Sequence, residues 1–225
     1  MRTTLALLLA AATTASLCSP AAAQGSKDPT TDITAAPLPA GWSMRLDDKD
    51  ATKSAKFVKM GTGYHVTSGG AAIYWRPADV EKSNFTVSAN FHQTKKNVGH
   101  GDHGEAYGVF IAGRDLNDAA SETYLYFEAR QDGMFLINHR AGAGKPQILV
   151  NWTASPAVHK FDDSPNTNTL AIKVAADSIR FVANGSEVQA ISRKDFPDLS
   201  GVAGLRINHN LDVHVADFSV KPGGR

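Results

Sequence analysis

Two short stretches concentrate the side chains able to do chemistry. His100-Gly101-Asp102-His103-Gly104-Glu105 packs imidazoles and carboxylates together, and Glu122-Thr123-Tyr124-Leu125-Tyr126-Phe127-Glu128 alternates polar with apolar side chains. Side chains of a strand point alternately to its two faces, so Tyr124, Tyr126 and Glu128 are expected on one face, Glu105 with Tyr107 on one face of the strand before, and Asn90 with His92 on one face of an earlier strand. Aromatic rings beside amide, carboxylate and imidazole groups suit a sugar, since rings stack on the C–H face of a pyranose while polar groups bond its hydroxyls. The competing reading is a solvated sheet face whose tyrosines pair across strands.

Acid–base chemistry on a glycosidic bond needs two carboxyl groups roughly 5–10 Å apart. Glu122 and Glu128 sit six positions apart in an extended strand, which separates their backbones by roughly 20 Å. Glu105 and Glu128 lie on different strands and are able to approach. That keeps a hydrolase open, with Glu105 as general acid or base and His103 or His92 assisting. Two histidines three positions apart in a glycine-rich loop fall short of the three or four convergent ligands zinc takes, so His103 and Glu105 are read as hydrogen-bonding groups beside a ligand cleft. No phosphate loop, dinucleotide fingerprint or nucleophile elbow is present, and no cofactor is expected.

These side chains must be carried by short strands. Phe85, Val87, Ala89 and Phe91 alternate with polar residues; Leu125, Phe127 and Ala129 do the same and run through an Asp132-Gly133 turn into Phe135 and Ile137. Leu170 to Val174 and Ile179 to Ala183 follow, and Asn184-Gly185 is the strongest short hairpin signal in the chain. Gly201–Ile207 and Leu211–Val220 read as a final pair, with a bulge near Ala216-Asp217 where the alternation slips phase. About a dozen short strands without a βαβ pattern predict an all-β, two-sheet jelly-roll sandwich in one domain. The segment Lys95 to Gly104 lacks apolar residues beyond Val98 and is expected to be mobile until ligand orders it.

Composition narrows the function classes. The chain of 225 residues carries 23 Lys and Arg against 22 Asp and Glu, a net charge of +1, which gives no field for drawing in nucleic acid. Met1-Arg2, the apolar run Leu5 to Ala12 and Ala21-Ala22-Ala23 predict a signal peptide over residues 1–23, and no stretch is long and apolar enough to predict membrane insertion. The single cysteine, Cys18, lies in that segment, so a mature chain has no disulfide and depends on burial. Residues 24–40 read as a flexible tether and 41–222 as the folded domain. The expected location is secreted or periplasmic.

Five segments carry a family resemblance: HGEAYGVFIAGRDL (103–116), TYLYFEARQDGMFLINHR (123–140), NWTASPAV (151–158), LAIKVAADSIRFVANGSEV (170–188) and GVAGLRINHNLDVHVADFSV (201–220). Together they resemble the concanavalin A-like lectin/glucanase superfamily in its bacterial laminin G-like branch, a neighbour of the 3-keto-disaccharide hydrolase-like family. The resemblance implies one convex and one concave sheet face. The E-x-D-x-x-E strand of its glucanases is not matched, because tyrosines stand between Glu122 and Glu128. It also implies calcium as an option; Asp115, Asn117 and Asp118 offer oxygens, yet without a dense acidic loop a plain turn explains them. The leading expectation is therefore an exported, non-catalytic carbohydrate-binding or adhesion module. A carbohydrate or cell-surface glycan would sit on the concave face, with His92, His103, Glu105, Tyr107, Tyr124, Tyr126 and Glu128 as ligand contacts. The alternatives are a glycoside-active hydrolase using Glu105 and a structural protein-interaction module.

Overall fold

The computed structural model describes residues 36–47, 55–81, 83–96, 105–162 and 164–223. His100, His103 and the rest of 97–104, with the predicted signal and most of the predicted tether, lie outside these residues. The strands in chain order are β1 (Ser43–Leu46), β2 (Ala55–Met60), β3 (Gly63–Ser68), β4 (Ala72–Glu81), β5 (Phe85–Gln93), β6 (Ala106–Arg114) and β7 (Thr123–Arg130). They continue with β8 (Met134–Ala141), β9 (Gln147–Ala154), β10 (Asn166–Val174), β11 (Ser178–Ala183), β12 (Ser186–Ser192), β13 (Gly201–Ile207) and β14 (Leu211–Pro222). All pair antiparallel in two seven-stranded sheets: the first in the order β1-β4-β13-β6-β7-β8-β9, the second in the order β12-β11-β10-β5-β14-β3-β2.

Period-2 alternation builds the core between the sheets. Phe85, Val87, Ala89 and Phe91 of β5 and Leu170 and Ile172 of β10 meet Val109 and Ile111 of β6, Leu125 and Phe127 of β7, and Leu205 and Ile207 of β13. The turns follow their chemistry. Asn184 and Gly185 both take positive φ, 49° and 84°, as a two-residue hairpin turn between twisted strands requires. The expected bulge is present, since β14 slips register against β5 between Ala216 and Ser219, and Asp217 takes a φ of 53°. The final pair differs from expectation. β13 and β14 are both strands but belong to different sheets, and Asn208–Asn210 carries the chain from one to the other.

Tyr107 is also placed differently. Its ring stacks on Phe91 at 4.8 Å inside the core, and its hydroxyl accepts a 2.9 Å hydrogen bond from Asn168 Nδ2. Burial pushes the phenol up to about 12, against a smaller lowering by Asn168. Asn168 in turn donates to His159 O and accepts from His159 N and Asn184 Nδ2 at 2.7–3.0 Å, which joins β10, the β11–β12 turn and the 155–160 segment. Asn168→Ala strips four hydrogen bonds from a buried side chain at once. It is expected to destabilise the fold by about 3 kcal/mol, read as a shift of the urea midpoint, because an unpaired buried group costs about 1–3 kcal/mol.

Candidate functional site

The outer face of the first sheet carries charges that the core excludes. One row across it reads Ile73 (β4), Arg206 (β13), Gly108 (β6), Glu128 (β7) and Leu136 (β8). The next reads Trp75, Gly204, Phe110, Tyr126 and Asn138. Glycine at 108 is required by close approach, since a Cβ there would sit 1.9 Å from Phe127 O. It also leaves Arg206 and Glu128 with no side chain between them, and Arg206 Nε lies 3.8 Å from Glu128 Oε1.

Arg206 is the hub. Its Nη1 and Nη2 donate to the two oxygens of Asp47 at 3.0 and 2.5 Å, and its guanidinium lies 5.8 Å from the Tyr126 ring centroid. Desolvation alone would lower Arg206, but the charges of Asp47 and Glu128 and the nearby Tyr124 hydroxyl hold it firmly cationic. Burial likewise pushes Asp47 up, and Arg206, with Arg45 and Arg140, outweighs it and holds the carboxyl below its usual value. Glu128 goes the other way: burial, aided by the charges of Asp47 and Glu105, overrides Arg206 and raises it to about 7. Glu105 reaches this neighbourhood from the residue before β6, with Oε1 2.9 Å from His209 Nδ1 in the turn after β13. Asn138 Nδ2 donates to Tyr126 OH at 2.9 Å.

A second cluster closes one end of the face. The β6–β7 connection folds back over it, where Leu116 packs with Ile73, Trp75, Phe110, Tyr124, Tyr126 and Leu136. Arg45 Nε donates to Leu116 O at 2.8 Å, Arg45 Nη2 donates to Glu122, and Arg140 Nε stands 3.7 Å from Glu122. This cover buries Tyr124 and Tyr126, so they do not present the open stacking surfaces expected from sequence.

Tyr124, Tyr126 and Glu128 are brought together on this face, with Glu105 beside them. Tyr107 is not among them, because alternation counted from Glu105 fails where Glu105 precedes the strand. His92 is not among them either. It lies on the outer face of the second sheet, across the sandwich, with Nδ1 2.9 Å from Thr167 Oγ1. It therefore cannot assist Glu105. Asp115, Asn117 and Asp118 do form a turn: Asp118 N donates to Asp115 O at 2.9 Å, and the Asp118 carboxylate accepts from Ala120 N at 3.0 Å and Ser121 Oγ at 2.9 Å. Among the described residues no group of three or more His, Cys, Asp or Glu is placed to hold a metal. Sequence reasoning missed Asp47, Asn138, Arg206 and His209. The signal for Arg206 was a lone cation at an alternate position of an otherwise apolar strand, GVAGLRI.

Several of the buried polar atoms that lack a hydrogen-bond partner lie on this face, Glu128 Oε1, Arg206 Nε, Tyr124 OH and Asn138 Oδ1, while others such as Trp42 Nε1 and Gln93 Oε1 lie elsewhere. The described strands of the other sheet's outer face are half-exposed and largely satisfied by cross-strand pairs.

No protein-family model matches the chain, and no curated protein matches its sequence. Solved structures do match the fold. The carbohydrate binding module CBM66 from Bacillus subtilis is similar over 84% of this chain and 99% of its own, at 10% identity and a TM-score of 0.57. A Bacillus subtilis protein of unknown function with a galectin-like fold gives 0.56 at 15% identity, covering 82% and 90% of the two chains. A Bacteroides ovatus mixed linkage glucan GH16 protein, in complex with its G4G4G3G product, gives 0.51 at 8% identity, covering 84% and 96%. These likenesses show the fold, a concanavalin A-like jelly-roll sandwich.

Proposed function

We propose that this chain is an exported, non-catalytic carbohydrate-binding or adhesion module that holds its glycan against the outer face of the first sheet. The observation that carries the reading is the trio Glu128 Oε1, Arg206 Nε and Tyr124 OH, all buried on one face without a hydrogen-bond partner, the first two facing each other as an ion pair at 3.8 Å. Such groups cost stability unless a ligand completes them, and a sugar hydroxyl, donor and acceptor at once, answers the Arg206–Glu128 pair. The fold is shared with a carbohydrate binding module and a glucan-complexed GH16 protein, which supports a sugar ligand by analogy of fold. The signal-like residues 1–23 support a secreted or periplasmic location and a partner such as a cell-surface glycan.

Glycan-array screening followed by calorimetry tests this. Tyr124→Phe removes one hydroxyl and no apolar surface, and it is expected to weaken the array-identified glycan about tenfold with folding intact. If the wild-type chain binds no glycan, a structural protein-interaction module becomes the better account.

A specific observation favours a second reading, a glycoside-active enzyme resembling the 3-keto-disaccharide hydrolases. Burial raises Glu128 to about 7, with the charge of Glu105 adding a little to the rise, and a carboxyl raised in this way beside a second one is the pairing an acid–base reaction uses. Turnover of plain or oxidised disaccharides that disappears in Glu105→Gln would establish it, and turnover surviving that change would remove Glu105 from the mechanism.

A further inference from the structure

On the far side of the sandwich, three of the chain's eight histidines stand in one row. His214 of β14 is directly opposite His65 of β3 on one side and His92 of β5 on the other, all on the outer face of the second sheet. Directly opposed residues bring their Cβ atoms to about 4.5–5.5 Å, so the row spans roughly 10 Å. It borders a recess of about 310 Å³ lined by Met60, His65, His92, Thr94, Asp212 and His214. His65 Nε2 lies 3.2 Å and Lys95 Nζ 2.9 Å from the Asp212 carboxylate. The donors are strung along a line and do not converge, which is not the arrangement a metal ion takes.

We propose that the His65–His214–His92 row is an acid-switched binding site for an oxyanion, the carboxylate or sulfate group of an acidic saccharide, separate from the face that carries Arg206. Neutral imidazoles coexist in such a row. Protonated, each becomes a donor at both nitrogens, and like charges directly opposite one another repel. An anion seated in the recess offsets that repulsion, so proton uptake and anion binding reinforce each other. The charged and titratable groups facing His214 are His65 on β3, His92 on β5 and Asp212 on its own strand, with Asp217 of β14 bonded to Asn90, Lys95 just beyond β5 and Lys56 farther out on β2. Asp212, shared between His65 and Lys95, and Asp217 are two negative charges against three imidazoles and Lys95, so acidification leaves the row net positive. Burial, then the neighbouring His65 and His92, lower the His214 value from 6.5. On the proposal, a bound anion offsets the histidine repulsion and raises it again.

The test is calorimetric titration at pH 5 and pH 8 with inorganic sulfate, a sulfated oligosaccharide, a polyuronate fragment and a neutral oligosaccharide. Imidazole NMR titrations in the presence and absence of sulfate run alongside. The expected result is binding of the anionic probes that weakens at least tenfold from pH 5 to pH 8, an upward shift of the His214 midpoint with sulfate, and loss of both in His214→Gln. Tighter binding of the anionic saccharides than of inorganic sulfate assigns the anion to a glycan. Anion affinity equal at the two pH values, or unchanged in His214→Gln, overturns the proposal.

Discussion

Arg206→Met is expected to lower folding stability at pH 8 by about 3–5 kcal/mol, because removing one partner of a buried ion cluster leaves the others uncompensated. The side chain stands between Asp47, which it bonds through two nitrogens, and Glu128. Methionine replaces the apolar stem but not the charge. The loss should shrink on acidification, since Glu128, raised to about 7, takes up a proton and ceases to be a buried anion. The triple change Arg206→Met, Asp47→Asn, Glu128→Gln should recover much of the stability while abolishing glycan binding. Chemical denaturation of the single and triple variants at pH 5 and pH 8 measures this. A single variant as stable as wild type at pH 8 would show that the cluster holds nothing together.

The second large effect has the opposite sign. Glu128 is raised from 4.5 to about 7 by burial, with Asp47 and Glu105 adding to the rise and Arg206 opposing it. Between those values the folded chain keeps a proton that the unfolded chain has released. The contribution of Glu128 to stability is thus fully present below about pH 4.5 and is lost as pH rises through 7, amounting to about 3 kcal/mol. Glu128→Gln, neutral at every pH and nearly the same shape, should match wild type near pH 4.5 and exceed it at pH 8. A residue whose removal stabilises the protein at working pH is one retained for something other than folding.

Much of this was legible in the sequence. The Asn184-Gly185 and Asp132-Gly133 turns, the alternation of β5 and β7 and the bulge at Asp217 are local features, and local chemistry dictates them. The shared face of Tyr124, Tyr126 and Glu128 followed from the period of a strand. What escaped was long-range. Arg206 and Asp47 are 159 positions apart, so nothing local pairs them. His92 and Tyr107 both sit in correctly read strands, but alternation fixes only which residues share a face, and pairing across the chain decides which sheet a strand joins and which face turns inward. The cover over Tyr124 and Tyr126 depends on Leu116 and on Arg45 reaching Leu116 O from β1, and the connection's own residues gave no sign of it.

On the proposed function, the Arg206–Glu128 face of the first sheet is kept for a sugar at a cost in stability. One paired measurement tests this most directly: denaturant stability and calorimetric affinity for an array-identified glycan, in wild type and Glu128→Gln, both at pH 8. The account predicts a variant that is more stable than wild type and binds at least tenfold more weakly. A variant that is less stable and binds the glycan as tightly as wild type would contradict it.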